Sequence, residues 1–245
     1  MFRITLGLLA LCAASTAPHA AEKDAAAEET VRRAIQAAGG QRALARMKGP
    51  TMWMDRGTFY GMGEAVSFVG QYATKWPHWY RQEIEGAYTM TVNGEQAWRS
   101  DANGVQKLAG EPLKERLGQV RAAWSQRLFP LLEKSWRLSS LAGVEVAGHA
   151  TFGIQASHPD CRDLRFYFDK QSYLLLKLET KVVLPEHGPD PVTSESYFSG
   201  HKSFGGGKVP SKLRLFYDKK LIVESETVDY KLGATLDPQH FVVPE

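Results

Sequence analysis

The segment from Val192 to Leu232 constrains the fold more than any other part of the chain. It reads as three long strands in a meander, Val192–Ser203, Val209–Tyr217 and Leu221–Leu232. Gly205-Gly206-Gly207 and Asp218-Lys219-Lys220 separate them and supply the positive-φ or polar residues that hairpin tips require. Leu213, Leu215 and Tyr217 alternate with Lys212, Arg214 and Asp218, the period of a strand with one buried face. Strands this long and this closely spaced demand a large antiparallel sheet. The rest of the chain must supply its other strands or cover its inner face.

Thr51–Tyr60, Glu64–Thr74, Trp79–Glu85 and Tyr88–Val92 read as four such strands. Val66, Phe68 and Tyr72 share a face of the second, and Tyr88, Met90 and Val92 share a face of the fourth. Asn93-Gly94 is a strong hairpin signal leading into Gln96–Ser100, and Asn103-Gly104 turns into Val105–Leu108. Strands resume at Arg137–Val146, Ala150–Ser157, Arg162–Asp169 and Ser172–Leu184. In the last, Leu174, Leu176, Leu178, Thr180 and Val182 are expected on one face. Pro185–Pro191 reads as a loop. The total is about eleven strands with two or three helices, an α+β chain that is mainly β.

The helices are fewer. Asp24–Ala38 carries a modest apolar stripe of Val31, Ala34, Ile35 and Ala38, stops at Gly39-Gly40, and restarts over Gln41–Met47. Glu111–Trp136 breaks the β pattern, with Leu113, Leu117, Val120, Trp124, Leu128, Leu131 and Leu132 at three- and four-residue steps. Pro130 predicts a kink or split near Arg127. Lys114, Arg121, Arg127 and Lys134 make the opposite face basic. Such a helix is either a fixed cover on the sheet or a lid over a lipid cavity with a basic rim.

Met1-Phe2-Arg3 and the apolar run Ile4–Ala14 predict a signal peptide over residues 1–21, followed by one domain over 22–245. Cys12 follows Leu11 inside the apolar run, whereas a lipidated Cys normally follows a small residue. Cleavage leaves Cys161 alone, so no intramolecular disulfide forms. The expected product is an exported, soluble periplasmic protein, read as a monomer. A net charge of +3 is too small to argue for nucleic acid.

Chemical motifs are sparse. There is no Gly-x-Ser-x-Gly, His-Glu-x-x-His or Cys-x-x-Cys. His158-Pro159-Asp160-Cys161-Arg162-Asp163 groups metal-ligand types beside a thiol, but it sits in a turn between strands and reads as a polar turn. No enzyme activity, metal or cofactor is expected. Aromatic residues instead gather on faces that look inward, and a curved sheet with little helix to fill its hollow leaves an apolar cavity.

Four segments carry a resemblance. Gly70–Arg81 contains Lys75-Trp76-Pro77, similar to a strand, Lys-x-Pro turn and second strand with Arg; Asn93–Trp98 resembles an Asn-Gly-x-x-x-Trp hairpin. Gly206-Gly207-Lys208-Val209-Pro210 resembles a Gly-x-Lys-x-Pro turn, and Leu236–Phe241 a closing segment. In order and spacing these resemble the LolA/LolB-like outer-membrane lipoprotein-sorting proteins over nearly the whole mature chain. The resemblance implies a strongly curved, about eleven-stranded half-barrel covered by helices, without catalysis, holding acyl chains of a lipid or lipoprotein. The residues expected to contact them are Val66, Phe68, Tyr88, Met90, Leu117, Val120, Trp124, Phe166 and Leu176. Transient contact with a membrane or membrane protein goes with that role. The alternative is a sensory or scaffold module that binds a partner protein on the curved sheet.

Overall fold

A computed structural model describes residues 24–61, 63–184 and 188–243. The leader expected over 1–21 and most of the Pro185–Pro191 loop's first half, residues 185–187, lie outside the described residues. Among those described, the strands are β1 (Thr51–Phe59), β2 (Val66–Lys75), β3 (Trp79–Ile84), β4 (Tyr88–Asn93), β5 (Gln96–Asp101) and β6 (Gly104–Lys107). After them come β7 (Arg137–Leu141), β8 (Glu145–Val146), β9 (His149–His158), β10 (Cys161–Asp169) and β11 (Leu175–Val182). The last five are β12 (Val192–Ser199), β13 (Lys202–Phe204), β14 (Gly207–Val209), β15 (Lys212–Tyr217) and β16 (Lys220–Leu232). Three helices accompany them: α1 (Ala25–Ala37), α2 (Gly40–Arg46) and α3 (Gly110–Ser125).

Fourteen strands form one open antiparallel sheet in the order β6-β5-β4-β3-β2-β1-β16-β15-β12-β11-β10-β9-β7, with β8 beside β9. The mainly β fold with helices over a large open sheet matches the expectation; the strand count exceeds the expected eleven. Part of the excess comes from splitting, which also separates Val209 in β14 from β15. Arg137–Val146 divides into β7 and β8, and Val192–Ser203 breaks at Gly200, whose φ of +61° ends the pairing of β12 with β15. Beyond that break β13 and β14 form their own two-stranded ribbon.

This order dictates where the helix must go. The chain walks from β1 outward to β6 at one edge, then re-enters at β7 on the other edge and walks back to β16. β16 pairs with β1 from Thr51↔Leu232 to Phe59↔Val223, so the two halves join in the middle. The segment between Lys107 and Arg137 therefore has to cross the sheet, and the 16 residues of α3 span about 24 Å. The helix ends at Ser125, short of the expected Trp136. Pro130 explains the stop, since its ring excludes the helical carbonyl four residues back. Leu128 turns the chain at φ +65°, and Phe129–Leu132 continues as a 3-10 turn.

α1 starts on Asp24, whose carboxylate accepts from the Ala26 and Ala27 amides and, through its other oxygen, from the Ser140 amide of β7. Its stripe of Ala27, Val31, Ala34 and Ile35 is fully buried on the β7–β11 half, against Leu131, Trp136, Ile154, Phe166 and Phe168. Gly39 ends it at φ +113° beneath the β13–β14 tip; a Cβ there would lie 2.3 Å from the Gly206 carbonyl oxygen. On the outer face, the C-terminal 3-10 turn Pro238–Phe241 stacks Phe241 on Trp79, ring centroids 4.7 Å apart.

Candidate functional site

The covered face of the sheet forms a hollow that α3 divides. One flank of α3 is apolar: Leu113, Leu117, Val120 and Trp124 meet Val92, Ala97, Trp76 and Tyr80 of the β1–β6 half. The other flank is polar. Glu115 accepts from the Val183 amide at 3.0 Å and pairs with Arg162 at 3.3 Å. Arg121 pairs with Asp160 at 3.2 Å and lies 3.2 Å from His158 Nε2. The helix is thus packed through its larger side chains against one half and held to the other by polar bonds and by Ala122.

Between the polar flank and β10, β11, β12 and β15 lies a cleft of about 410 Å³. Leu164, Leu178, Val182 and Leu215 supply its apolar lining from the sheet, Gly118 and Ala122 from the helix, and Lys114, Arg162 and Lys181 also border it. A second pocket of about 210 Å³ lies beneath the end of α3, against α1 and α2. Its apolar side is Ala34, Leu44, Leu128 and Leu175, and its polar side includes Arg127, His201, Lys208, Thr227 and Tyr230. Arg127 was expected on a solvated basic face; the helix ends before it and the turn directs it inward, donating to the Met47 carbonyl and to Thr74 Oγ1.

An aromatic wall runs along the inner face beside this pocket. Trp53 stacks on Tyr72 at 4.7 Å and faces Tyr230 at 6.2 Å, and Phe204 of the ribbon closes on Tyr230 at 4.7 Å. Burial pushes the Tyr72, Tyr80 and Tyr88 phenols up, so all three stay neutral. Burial also raises the Asp55 carboxyl, which accepts from Thr227 at 2.7 Å.

The residues expected to meet acyl chains fall into separate places. Val120 and Trp124 are buried, and Leu117 is half-buried, on the apolar flank of α3; Trp124 also lines the smaller pocket. Met90 and Tyr88 are on β4, opposite Gln82 and Ile84 of β3, and Phe68 is opposite Gly57 of β1. Val66, at the start of β2, is exposed. Phe166 is fully buried beneath α1 with Phe168, in the core and away from either cleft. Leu176 departs from the expected alternation. A bulge leaves Phe168 opposite Leu175 and Tyr167 opposite Lys177, so Leu176 has no partner across β10 and Leu175 takes the inward position. Leu164, Leu178, Val182 and Leu215, which line the larger cleft, share the alternation that marked their neighbours; only the path of α3 distinguishes them.

The polar turn around Cys161 is chemically quiet. Burial pushes its thiol up to about 11, so it stays protonated at neutral pH and is a poor nucleophile. Among the described residues no group of three His, Cys, Asp or Glu side chains is placed to hold a metal ion. Among the described residues no helix is long and apolar enough to cross a membrane.

The open antiparallel sheet with its crossing helix is similar in fold to several solved structures. A domain from Vibrio parahaemolyticus named as an outer membrane lipoprotein-sorting protein is 13% identical, with a TM-score of 0.57 over 88% of this chain and 97% of its own. A LolA superfamily protein from Nitrosomonas europaea is 12% identical, with a TM-score of 0.59 and the same shares of the two chains. A DUF1329 family protein from Desulfovibrio piger is 10% identical, again with a TM-score of 0.59 over 88% and 97%. No family model matches the chain, and neither does any curated protein.

Proposed function

We propose that this protein is an exported, periplasmic carrier of acyl chains, belonging to a lipid or a lipoprotein. The observation that carries this reading is the cleft of about 410 Å³ between the sheet's apolar residues and a helix held there by polar bonds. Its volume falls in the range of small-molecule sites. Each methylene buried in it contributes about 0.8 kcal/mol, so a long chain binds without a charged contact. The Arg121–Asp160 pair on the polar flank is partly solvent-exposed and so holds α3 there only weakly. The fold is that of a lipoprotein-sorting domain, which supports the same reading. No catalytic step is assigned.

Native mass spectrometry of protein purified under mild conditions tests the proposal. Bound lipid that disappears on delipidation, together with uptake of a fluorescent fatty acid, is the expected result. Identical masses before and after, with no uptake, overturns it.

The competing reading, a module that binds a partner protein, draws on the β6 edge, whose four residues are all exposed, Val105 among them. A stoichiometric protein partner recovered from periplasm without lipid favours it.

A further inference from the structure

The smaller pocket carries more donor chemistry than an acyl chain uses. Arg127 reaches into it with two hydrogen bonds, to the Met47 carbonyl and Thr74 Oγ1, which leave part of its five-donor fork unspent. Among the described residues no carboxylate lies within ion-pair reach of it, and burial pulls its pKa down against the phenol of Tyr230. A partly buried cation without a counter-charge is costly unless something supplies one. Asp55, on the neighbouring strand, is bound to Thr227 and biased toward its neutral form.

Two polar atoms on residues that line the same pocket are buried and unpartnered. They are the indole Nε1 of Trp124, which is 7% exposed, and the Nε2 of His201. An indole N–H is a donor and nothing else, so its orphaned state points to a missing acceptor. Lys208 from the ribbon adds a second positive charge to the lining. Residues bearing a guanidinium, an ammonium, an unused indole donor and an imidazole thus line a pocket of about 210 Å³ together with Ala34, Leu44 and Leu128.

We infer that this pocket seats an oxyanion, a carboxylate or a phosphate, at the head of an amphiphilic cargo, with Arg127 as its principal partner and Trp124, Lys208 and His201 around it. The head group is the new element; the tail rests on the carrier reading above. Arginine suits the task because its planar fork matches both oxyanions in two-point contact.

The test compares oleate, oleyl alcohol and inorganic phosphate on the delipidated chain, by calorimetry and by displacement of a fluorescent fatty acid. The wild type is expected to bind oleate at least tenfold more tightly than oleyl alcohol. Arg127→Gln should reduce that preference to less than threefold and leave oleyl alcohol binding unchanged. Lys208→Gln, a surface-ribbon change that spares the core, should weaken oleate alone by a smaller factor and serves if Arg127→Gln fails to fold. Equal wild-type affinity for oleate and oleyl alcohol overturns the oxyanion seat while the carrier reading stands. Binding of neither lipid, with phosphate bound and lost in Lys208→Gln, supports the oxyanion seat with a free anion as its ligand and sinks the carrier reading. Binding of none of the three overturns both.

Discussion

Trp124 of α3 sets its ring edge-on against Trp76 in the β2–β3 turn, with centroids 4.7 Å apart and planes at 75°. Phe129 also meets Trp76 edge-on, at 5.6 Å. This triad joins the crossing segment to the β1–β6 half, and it decides whether α3 is a fixed cover or a lid. Loss of a buried Trp costs about 3–5 kcal/mol in a rigid core. If α3 is a lid, Trp124→Ala should lose clearly less stability than that and show a larger loss of fatty-acid affinity. Thermal unfolding of the lipid-free variant beside its affinity separates the two; strong destabilisation with unchanged affinity makes the helix core.

Glu115 tethers the opposite flank through the Val183 amide and Arg162. Charge-assisted bonds of this kind contribute about 1.5–3 kcal/mol when shielded and less beside water. Glu115→Ala should therefore cost about 1–2 kcal/mol and speed lipid uptake in stopped-flow fluorescence. Uptake no faster than wild type removes this contact from the opening step.

His158 lies against Arg121 and the ring of Trp136. Burial, then the Arg121 charge, pushes its pKa below the ordinary 6.5, with Asp160 opposing. The sign follows: between its folded value and 6.5 the unfolded chain binds more protons, so stability falls as pH drops through that window. A pH series of melting temperatures should decline below pH 6.5 in the wild type and decline less in His158→Gln. Parallel curves would show that His158 does not carry the effect.

Asp24 caps α1 and also holds the Ser140 amide, and its carboxyl is lowered chiefly by that backbone bond. Asp24→Ala removes both contacts and should cost about 1 kcal/mol, within the usual range for a lost cap. Urea unfolding measures it, and a change below a few tenths would mean that the β7 contact is not formed in solution.

Gly39 is held at φ +113° with its Cα hydrogen facing the Gly206 carbonyl. Gly39→Ala meets a steric clash and a backbone conformation that costs about 1–3 kcal/mol for an L-residue. Gly206→Ala meets nothing within 4 Å at its Cβ, though its φ of +90° also disfavours a side chain. Gly39→Ala should be the more destabilising of the two in chemical denaturation; equal losses would mean that the turn yields.

The amino-acid order by itself determined the local pieces. Asn93-Gly94 turns β4 into β5 with Gly94 at φ +61°, and Asp218 and Lys219 take φ values of +44° and +69° at the β15–β16 tip. Asp24, Gly39 and Pro130 bounded the helical segments within a turn or so, since caps and breakers act over a few residues. The buried face of β4, with Met90 and Val92, followed from the period of two, whereas on β2 the same period left Val66 exposed at the strand's start. Tertiary structure decided the rest. Pairing of β1 with β16 joins residues 172 apart along the chain at Asp55 and Thr227, and no local signal encodes such a partner. The bulge at Leu176 depends on how β10 and β11 register, so alternation along one strand could not reveal it. Arg127 read as one more charge on a polar helix face, and only the termination of α3 over the hollow turned it toward the Met47 carbonyl and Thr74, in the pocket that Trp124 also lines. Periodicity reports which side of an element is buried; what lies on that side is set by contacts made across the whole chain.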